Sequence, residues 1–168
     1  NTLSAMTEQT DIMMARSISL SEDITKELNQ CLTANGKTFS NLNDNPQLIM
    51  DLEAALYPSL KSALDVKYCS GVFVVLDATV NTKTEYADTS RMGIYLRLSD
   101  LKAVNTSKQH VVFFRGNADI ARAEQVQLHN RWNLEFDTSA LPGYEQIMRF
   151  DGNRLVESCL WTDRLELS

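Results

Sequence analysis

The chain has 168 residues, of which 43% are hydrophobic, and it carries a net charge of −6 at neutral pH. This length suits one domain with a sizeable core, so we predict a single domain over residues 1–168. The acidic balance argues against nucleic-acid binding, because nucleic-acid binders present basic patches. No apolar run approaches the roughly 20 residues that cross a bilayer. The chain begins with Asn1 rather than Met and has no recognisable signal peptide, so we expect it to be an excised piece of a longer protein.

Residues 3–34 contain neither Pro nor Gly and predict one long N-terminal helix, which Asn35-Gly36 would end. A stripe in its second half predicts the face that packs on the core: Leu20, Ile24, Leu28, Cys31 and Leu32. The first half carries a second apolar patch: Met6, Met13, Met14 and Ile18. This patch either caps the core or pairs with a second copy of the chain in a homodimer.

A second helical segment follows a loop. Asn45 is a suitable N-cap residue, and Pro46 suits the first helical position. The apolar periodicity is interrupted at Pro58, which predicts a helix end there and a short further helix before the first strand. We therefore divide the chain into a long N-terminal helix over residues 1–35 and a body over residues 45–168.

Two segments predict neighbouring core strands. Residues 71–80 include a β-branched and aromatic run, and residues 91–98 alternate strictly between apolar and other side chains. The second segment turns one apolar face inward and presents Arg91, Gly93, Tyr95 and Arg97 on the other. Because Gly93 has no side chain, we expect an indentation there, as in the floor of a small-molecule pocket.

The remainder predicts mostly strands with short connections. Residues 110–115 predict a third strand and residues 132–137 a fourth, with a helix capped by Asn117 and reaching about His129 between them. Leu141-Pro142-Gly143 and Asp151-Gly152-Asn153 predict turns. Residues 144–150 fit helix or strand, and residues 155–167 begin like a strand. Helices followed by strands predict an α+β fold with an antiparallel sheet covered by helices on one side.

The sequence does not indicate a reaction centre or a metal site. His110 and His129 lack a local nucleophile signature, and no Gly-rich phosphate loop or sequence-placed carboxylate pair is present. Cys31, Cys69 and Cys159 have no CxxC spacing, so buried thiols are favoured over zinc ligands or disulfides. Asn105-Thr106-Ser107 matches a short glycosylation motif.

The candidate ligand-binding residues are therefore polar groups near the two core strands. The forked guanidinium group of an arginine, together with a tyrosine hydroxyl, can hold a carboxylate or phosphate. The candidate ligand-binding residues are therefore Arg91, Tyr95, Arg97 and the nearby Asp77. Alternatively, Arg97 pairs with Asp77 or Asp163 and Arg91 is a solvated strand end. Trp132 either lines one wall of this pocket or belongs to the core.

These segments resemble the extracytoplasmic, PAS-like sensor domains called Cache or PDC domains, which occur in bacterial histidine kinases, chemoreceptors and other membrane-anchored signalling proteins. The resemblance is carried by the long N-terminal helix and by three segments. They read YCSGVFVVLDAT over residues 68–79, RMGIYLR over residues 91–97 and LHNRWNLEFD over residues 128–137.

The resemblance implies a central antiparallel sheet of about five strands, flanked by the long helix, with a ligand under the loops on the other face. Amino-acid-binding members show Tyr, four residues, Arg, one residue and then Trp-Tyr. Tyr86 and Arg91 match the first spacing, whereas Gly93 and Ile94 replace the aromatic pair and Tyr95 stands one place late. Only Tyr86 and Arg91 are carried over to the candidate site.

The leading hypothesis is thus a non-catalytic sensing domain of a membrane-anchored two-component receptor, located outside the membrane. It would bind a small molecule such as a carboxylate or another anion, form a homodimer through the N-terminal helix and need no cofactor. A kinase would lie elsewhere in the parent protein. The alternatives are a structural dimerisation module without a ligand and a cytoplasmic PAS-like cofactor-binding domain.

Overall fold

The computed structural model describes residues 1–66, 69–99 and 110–149, which form an α+β fold with a long N-terminal helix and a mixed four-stranded sheet. The helices are α1 (Thr2–Ala34), α2 (Pro46–Ala63), α3 (Ala118–Ala123) and α4 (Tyr144–Met148). The strands are β1 (Gly71–Val75), β2 (Ser90–Arg91), β3 (Gly93–Leu98), β4 (Val111–Arg115), β5 (Gln127–Asn133) and β6 (Phe136–Asp137). Short 3-10 turns cover Phe39–Asn41 and Thr138–Ala140.

Helix α1 begins and ends at residues suited to those positions. The Asn1 side chain accepts the N–H of Leu3 at 3.2 Å, which satisfies one of the free donors of the first turn. At the other end Gly36 adopts a φ of +61°, and the N–H of Lys37 donates to the carbonyl of Leu32 at 2.9 Å. This is a glycine-based helix stop, and it confirms the predicted extent of the helix.

Helix α2 runs through Pro58, so the predicted helix end at that residue is wrong. The Asn45 side chain accepts the N–H of Leu48 at 3.1 Å and caps the start as expected. Pro58 cannot donate to the carbonyl of Ala54, but both residues lie on the exposed side of the helix, where water can bond to the freed carbonyl. The opposite side holds the helix in place, because Leu56, Tyr57 and Leu60 are at most 2% exposed.

The sheet has the order β1-β3-β4-β5. β1 and β3 pair antiparallel, with Phe73 opposite Tyr95, and β3 and β4 also pair antiparallel. β4 and β5 pair parallel, which corrects the predicted wholly antiparallel sheet of about five strands. The cause is α3: a helical crossover between two strands returns the chain in its original direction. The predicted helix to His129 ends earlier, and the predicted strand 132–137 divides between β5 and β6.

Helix α2 separates the sheet from α1 over much of the core. It packs against β1 and β3 on one side, and α1 packs against it on the other. The residues of α1 that take part in the core are those of the predicted stripe, from Leu20 to Leu32. The sequence prediction placed α1 on the sheet itself, whereas the helix–helix contact with α2 predominates.

Several predicted features lie outside the described residues. They are the glycosylation motif at Asn105, the turn at 151–153, the strand within 155–167, Cys159 and the alternative Arg97 partner Asp163. Within the described ranges, no helix is both long and apolar enough to span a membrane.

Candidate functional site

The two faces of the sheet differ in character because successive strand residues point to opposite sides. Val72, Ile94, Leu96 and Phe113 point to the helices and are buried in the core. The residues between them form what we name the outer face: Gly71 and Phe73 on β1, Gly93, Tyr95 and Arg97 on β3, and Phe114 on β4. The predicted alternation holds over β3, residues 93–98, whereas the predicted single strand 91–98 is interrupted at Met92: Arg91 lies on β2, which pairs with β6 in a separate two-stranded sheet.

A row of rings crosses the outer face from the first strand to the last. The centroids of Phe73 and Tyr95 lie 6.2 Å apart with an edge-to-face angle of 87°, and those of Tyr95 and Phe114 lie 5.0 Å apart. His129 on β5 stacks on Phe114 at 4.0 Å. We name these four residues the aromatic row. Such edge-to-face and stacked pairs stabilise one another beyond the area they bury.

Positive charge gathers at the His129 end of the aromatic row. Burial lowers the pKa of His129 below its ordinary value, and the charges of Arg131, Arg97 and Arg115 lower it further. The Nδ1 atom of His129 accepts the N–H of Arg131 at 3.1 Å, so the neutral ring carries its proton on Nε2. Cations beside a histidine disfavour a further positive charge, and the same field attracts an anion.

Arg115 is fixed in place by backbone groups. Its Nη1 donates to the carbonyls of Phe114 and Arg131, both at 2.8 Å, which ties β4 to β5. Burial lowers the pKa of Arg115 from its ordinary value, while the neighbouring Tyr95 acts in the opposite direction. A guanidinium stays charged in spite of such burial, so it contributes a fixed positive charge beside the rings.

Arg91 is engaged by groups of the protein. Its Nε donates to Asp77 at 2.6 Å, and its Nη1 donates to the carbonyls of Ala87 and Ser90 at 2.7 and 2.8 Å. Tyr144 lies against the same pair: burial raises the pKa of its hydroxyl, Asp77 raises it further, and the hydrogen bond with Arg91 lowers it. This cluster fastens α4 and the loop before β2 to the end of β1.

The indentation expected at Gly93 is filled. A Cβ atom at this position would lie 2.0 Å from the carbonyl oxygen of Val74 and 2.9 Å from Cε2 of Phe136. Phe136 is 1% exposed, and its ring centroid lies 6.1 Å from that of Phe73. Glycine is therefore required here for close packing of the chain and not for ligand access.

The structure brings together some of the nominated residues and separates others. Tyr95 and Arg97 lie on the outer face, and Arg91 with Asp77 forms the neighbouring ion pair. Trp132 packs against the core and donates its Nε1–H to the carbonyl of Gly116 at 3.0 Å. Tyr86 is 68% exposed on the loop that joins β1 to β2.

Sequence reasoning missed three members of the aromatic row. Phe73 and Phe114 stood within apolar runs that suggested burial on both faces, and His129 was assigned to a helix end. The sequence did hold one signal for Phe73. It lies in a strand predicted to neighbour that of Tyr95, and in each strand the ring alternates with aliphatic residues, so both rings could lie on the same face. Their registry across the sheet depends on strand pairing, which residue spacing alone does not determine.

Two acidic side chains hold the loops behind the site. Glu53 on α2 is 1% exposed and accepts the N–H of Asn117 at 2.8 Å and that of Gly93. Burial raises the pKa of Glu53 to about 8, although both N–H donors act to lower it. Glu135 accepts the N–H of Val80 at 2.8 Å, the hydroxyl of Thr79 at 3.0 Å and the hydroxyl of Ser90.

The arrangement offers recognition chemistry. Among the described residues, no group of three or more His, Cys, Asp and Glu is placed to hold a metal ion. Cys31 and Cys69 are free and half-buried, and burial raises the pKa of both thiols, which makes them poor nucleophiles. The aromatic row and its cations can bind a ligand through stacking and charge.

Comparison of the chain with protein-family models, with curated proteins and with solved structures found no match.

Proposed function

We propose that this chain is a non-catalytic small-molecule-sensing domain from the extracytoplasmic part of a bacterial membrane-anchored receptor, such as a sensor histidine kinase. The ligand binds on the outer face, over the aromatic row, and its binding shifts α1. The resemblance of three sequence segments to Cache or PDC domains supports this role, as does the α+β fold with a long N-terminal helix.

The observation that carries the ligand-binding part is the aromatic row with the positive charges at its His129 end. Phe73 is 40% exposed although it lies within a strand, between the buried Val72 and the half-buried Val74. An exposed aromatic residue on a face that also holds arginines is typical of a recognition surface.

The path from this face to α1 runs through α2. Glu53 on α2 accepts N–H groups from Gly93 at the start of β3 and from Asn117 after β4. Further along the same helix, the hydroxyl of Ser59 donates to Glu27 of α1 at 2.6 Å. A ligand that prefers one arrangement of the strands would bias the position of α1 by its differential affinity for the two states.

The first half of α1 supports a homodimer. Leu3, Met6 and Met13 continue, at helical spacing, the face that Leu20 and Ile24 turn to the core. The two hydroxyls on this sector donate to carbonyls of their own helix, Thr10 to Met6 and Ser17 to Met13, each at 2.9 Å. Because these hydroxyls are already satisfied, a partner helix can cover them at little desolvation cost.

The experiment that tests ligand binding is a thermal-shift screen of carboxylates, amino acids and phosphates with matched variants. Phe73→Ala removes the exposed ring of the site, and Phe39→Ala removes a ring of similar exposure, 37%, from the turn after α1. We expect ligands that stabilise the wild type and Phe39→Ala to lose their effect on Phe73→Ala. Equal stabilisation of both variants by every ligand would contradict binding at the outer face.

The second candidate is a dimerisation module that binds no small molecule. The continuous apolar sector of α1 favours it independently of the outer face. It predicts that the chain dimerises and that no compound in the screen changes its melting temperature.

A further inference from the structure

The chemistry of the outer face restricts the ligand, and this inference rests on the function proposed above. We infer that the ligand is a small aromatic acid, with one flat ring against Phe73 and Tyr95 and its anionic group directed to Arg97. The shape of the row, the position of the cations and the distance between the two support this assignment.

The ring-binding part is the pair formed by Phe73 and Tyr95. Their rings stand at 87° to each other with centroids 6.2 Å apart, and part of the Phe73 side chain, 40%, is open to solvent. A flat ring can stack on one and meet the other edge-on, which aromatic groups favour. A saturated ring or a branched chain of equal volume gains the apolar contact and lacks the quadrupolar attraction.

The anion-binding part is Arg97. It follows Tyr95 by two residues on the same face, hence about 7 Å along the strand, and it lies opposite Gly71 on β1. Because Gly71 has no side chain, the ring of Tyr95 can lie over it, and a Cβ atom at Gly71 would stand 3.4 Å from Cε2 of Tyr95. The phenol ring therefore extends towards the position of Arg97. Arg91 serves less well, since its Nε and Nη1 are already bonded to Asp77, Ala87 and Ser90.

The distance between the two parts limits the size of the ligand. A ring over Phe73 and Tyr95 brings a carboxylate on a one- or two-atom arm within reach of a long arginine side chain located about 7 Å away. The other end of the row is occupied, since Phe114 is 7% exposed and is covered by His129 at 4.0 Å. One ring with a short acidic arm therefore fits better than a polycyclic compound or a polyphosphate.

The test is calorimetric titration of the full chain with four probes that separate ring from charge. Phenylacetate and 3-phenylpropionate carry both features, cyclohexylacetate keeps the charge without a flat ring, and phenylacetamide keeps the ring without the charge. We expect both aromatic acids to bind at least tenfold more tightly than either single-feature probe.

Two variants, each with a matched control, test whether Phe73 binds the ring of the ligand and whether Arg97 binds its anionic group. Phe73→Leu keeps an apolar side chain and should weaken the aromatic acids severalfold while leaving cyclohexylacetate unchanged; Phe39→Leu should change nothing. Arg97→Gln should abolish the preference for phenylacetate over phenylacetamide, and Arg16→Gln, on α1, should keep it. Circular dichroism and the melting temperature verify that each variant is folded.

The outcomes separate this inference from the proposed function. Equal affinity for cyclohexylacetate and phenylacetate overturns the aromatic class, but the sensor proposal survives if binding depends on Phe73. No affinity for any of the four probes also overturns the aromatic class, and the wider thermal-shift screen then decides the sensor proposal. Binding of a short single-stranded oligonucleotide that depends on Phe73 and Arg97 would contradict both.

Discussion

The imidazole of His129 stacks on the ring of Phe114, with centroids 4.0 Å apart and an angle of 19° between the planes. This contact joins the parallel strands β4 and β5. The pairing of two parallel strands is harder to predict from the sequence than the pairing of two strands in a hairpin. It also places the imidazole of the aromatic row beside three arginines.

The pKa of His129 provides the first prediction. Burial and then the charges of Arg131, Arg97 and Arg115 hold it below the ordinary value near 6.5. NMR titration of the imidazole resonances should show a lowered midpoint. Arg97→Gln should raise the midpoint, since one of the opposing charges is removed, and Arg16→Gln should leave it unchanged. A midpoint at or above 6.5 in the wild type would contradict the proposed cationic end of the row.

Glu53 provides a prediction on pH and stability. Its folded-state pKa is raised from 4.5 to about 8, so the folded protein binds a proton more tightly than the unfolded chain. The contribution to the free energy of unfolding is therefore fully present below pH 4.5 and is lost as the pH rises through 8. Each unit of the shift corresponds to about 1.4 kcal/mol.

Glu53→Gln tests that assignment directly. The glutamine keeps one carbonyl oxygen for the N–H of Asn117 and cannot ionise. Urea denaturation at several pH values should show the wild type losing a few kcal/mol between pH 5 and 9, relative to the variant. Parallel pH profiles for the two proteins would show that Glu53 titrates at its ordinary value.

Gly93 provides a packing prediction with a matched control in the same sheet. The methyl group of Gly93→Ala would meet the carbonyl of Val74 at 2.0 Å and Phe136 at 2.9 Å. We expect a loss of about 3 kcal/mol or more, because the backbone itself must move. Gly71→Ala meets Tyr95 at 3.4 Å, an ordinary contact, and should cost less than about 1 kcal/mol. Similar melting temperatures for both variants would contradict this packing.

The exposed half of α1 provides a prediction on oligomeric state. Met6→Lys with Met13→Lys puts two charges on the apolar sector, whereas Ile12→Lys with Ala15→Lys puts two charges on the other side of the same helix. Analytical ultracentrifugation should show a dimer for the wild type and the second variant, and a monomer for the first. Equal dissociation constants for the two double variants would exclude this sector as the interface.

Local sequence signals determined much of the architecture. Asn45-Pro46 and Asn35-Gly36 marked the helix ends because capping depends on the residues next to the terminus. The strict alternation of residues 91–98 indicated β3 and its two faces. Pro58 misled, because whether a proline breaks a helix depends on the tertiary packing around it.

The candidate site was less accessible to sequence reasoning. Tyr95 and Arg97 followed from alternation, but Phe73, Phe114 and His129 joined them only through strand order and register. The partner of Arg91 proved to be Asp77, fourteen residues earlier, and the ring that fills the space at Gly93 comes from Phe136. Contacts between distant segments are not encoded in residue spacing.

The most direct measurement of ligand binding at the outer face is the amide NMR spectrum of the isotope-labelled chain, titrated with phenylacetate. We expect the largest shift changes at Phe73, Tyr95 and Arg97 on β1 and β3, with smaller changes passing to Glu53 on α2. Shift changes confined to the Arg91–Asp77 pair or to α1, with β1 and β3 unaffected, would contradict the account.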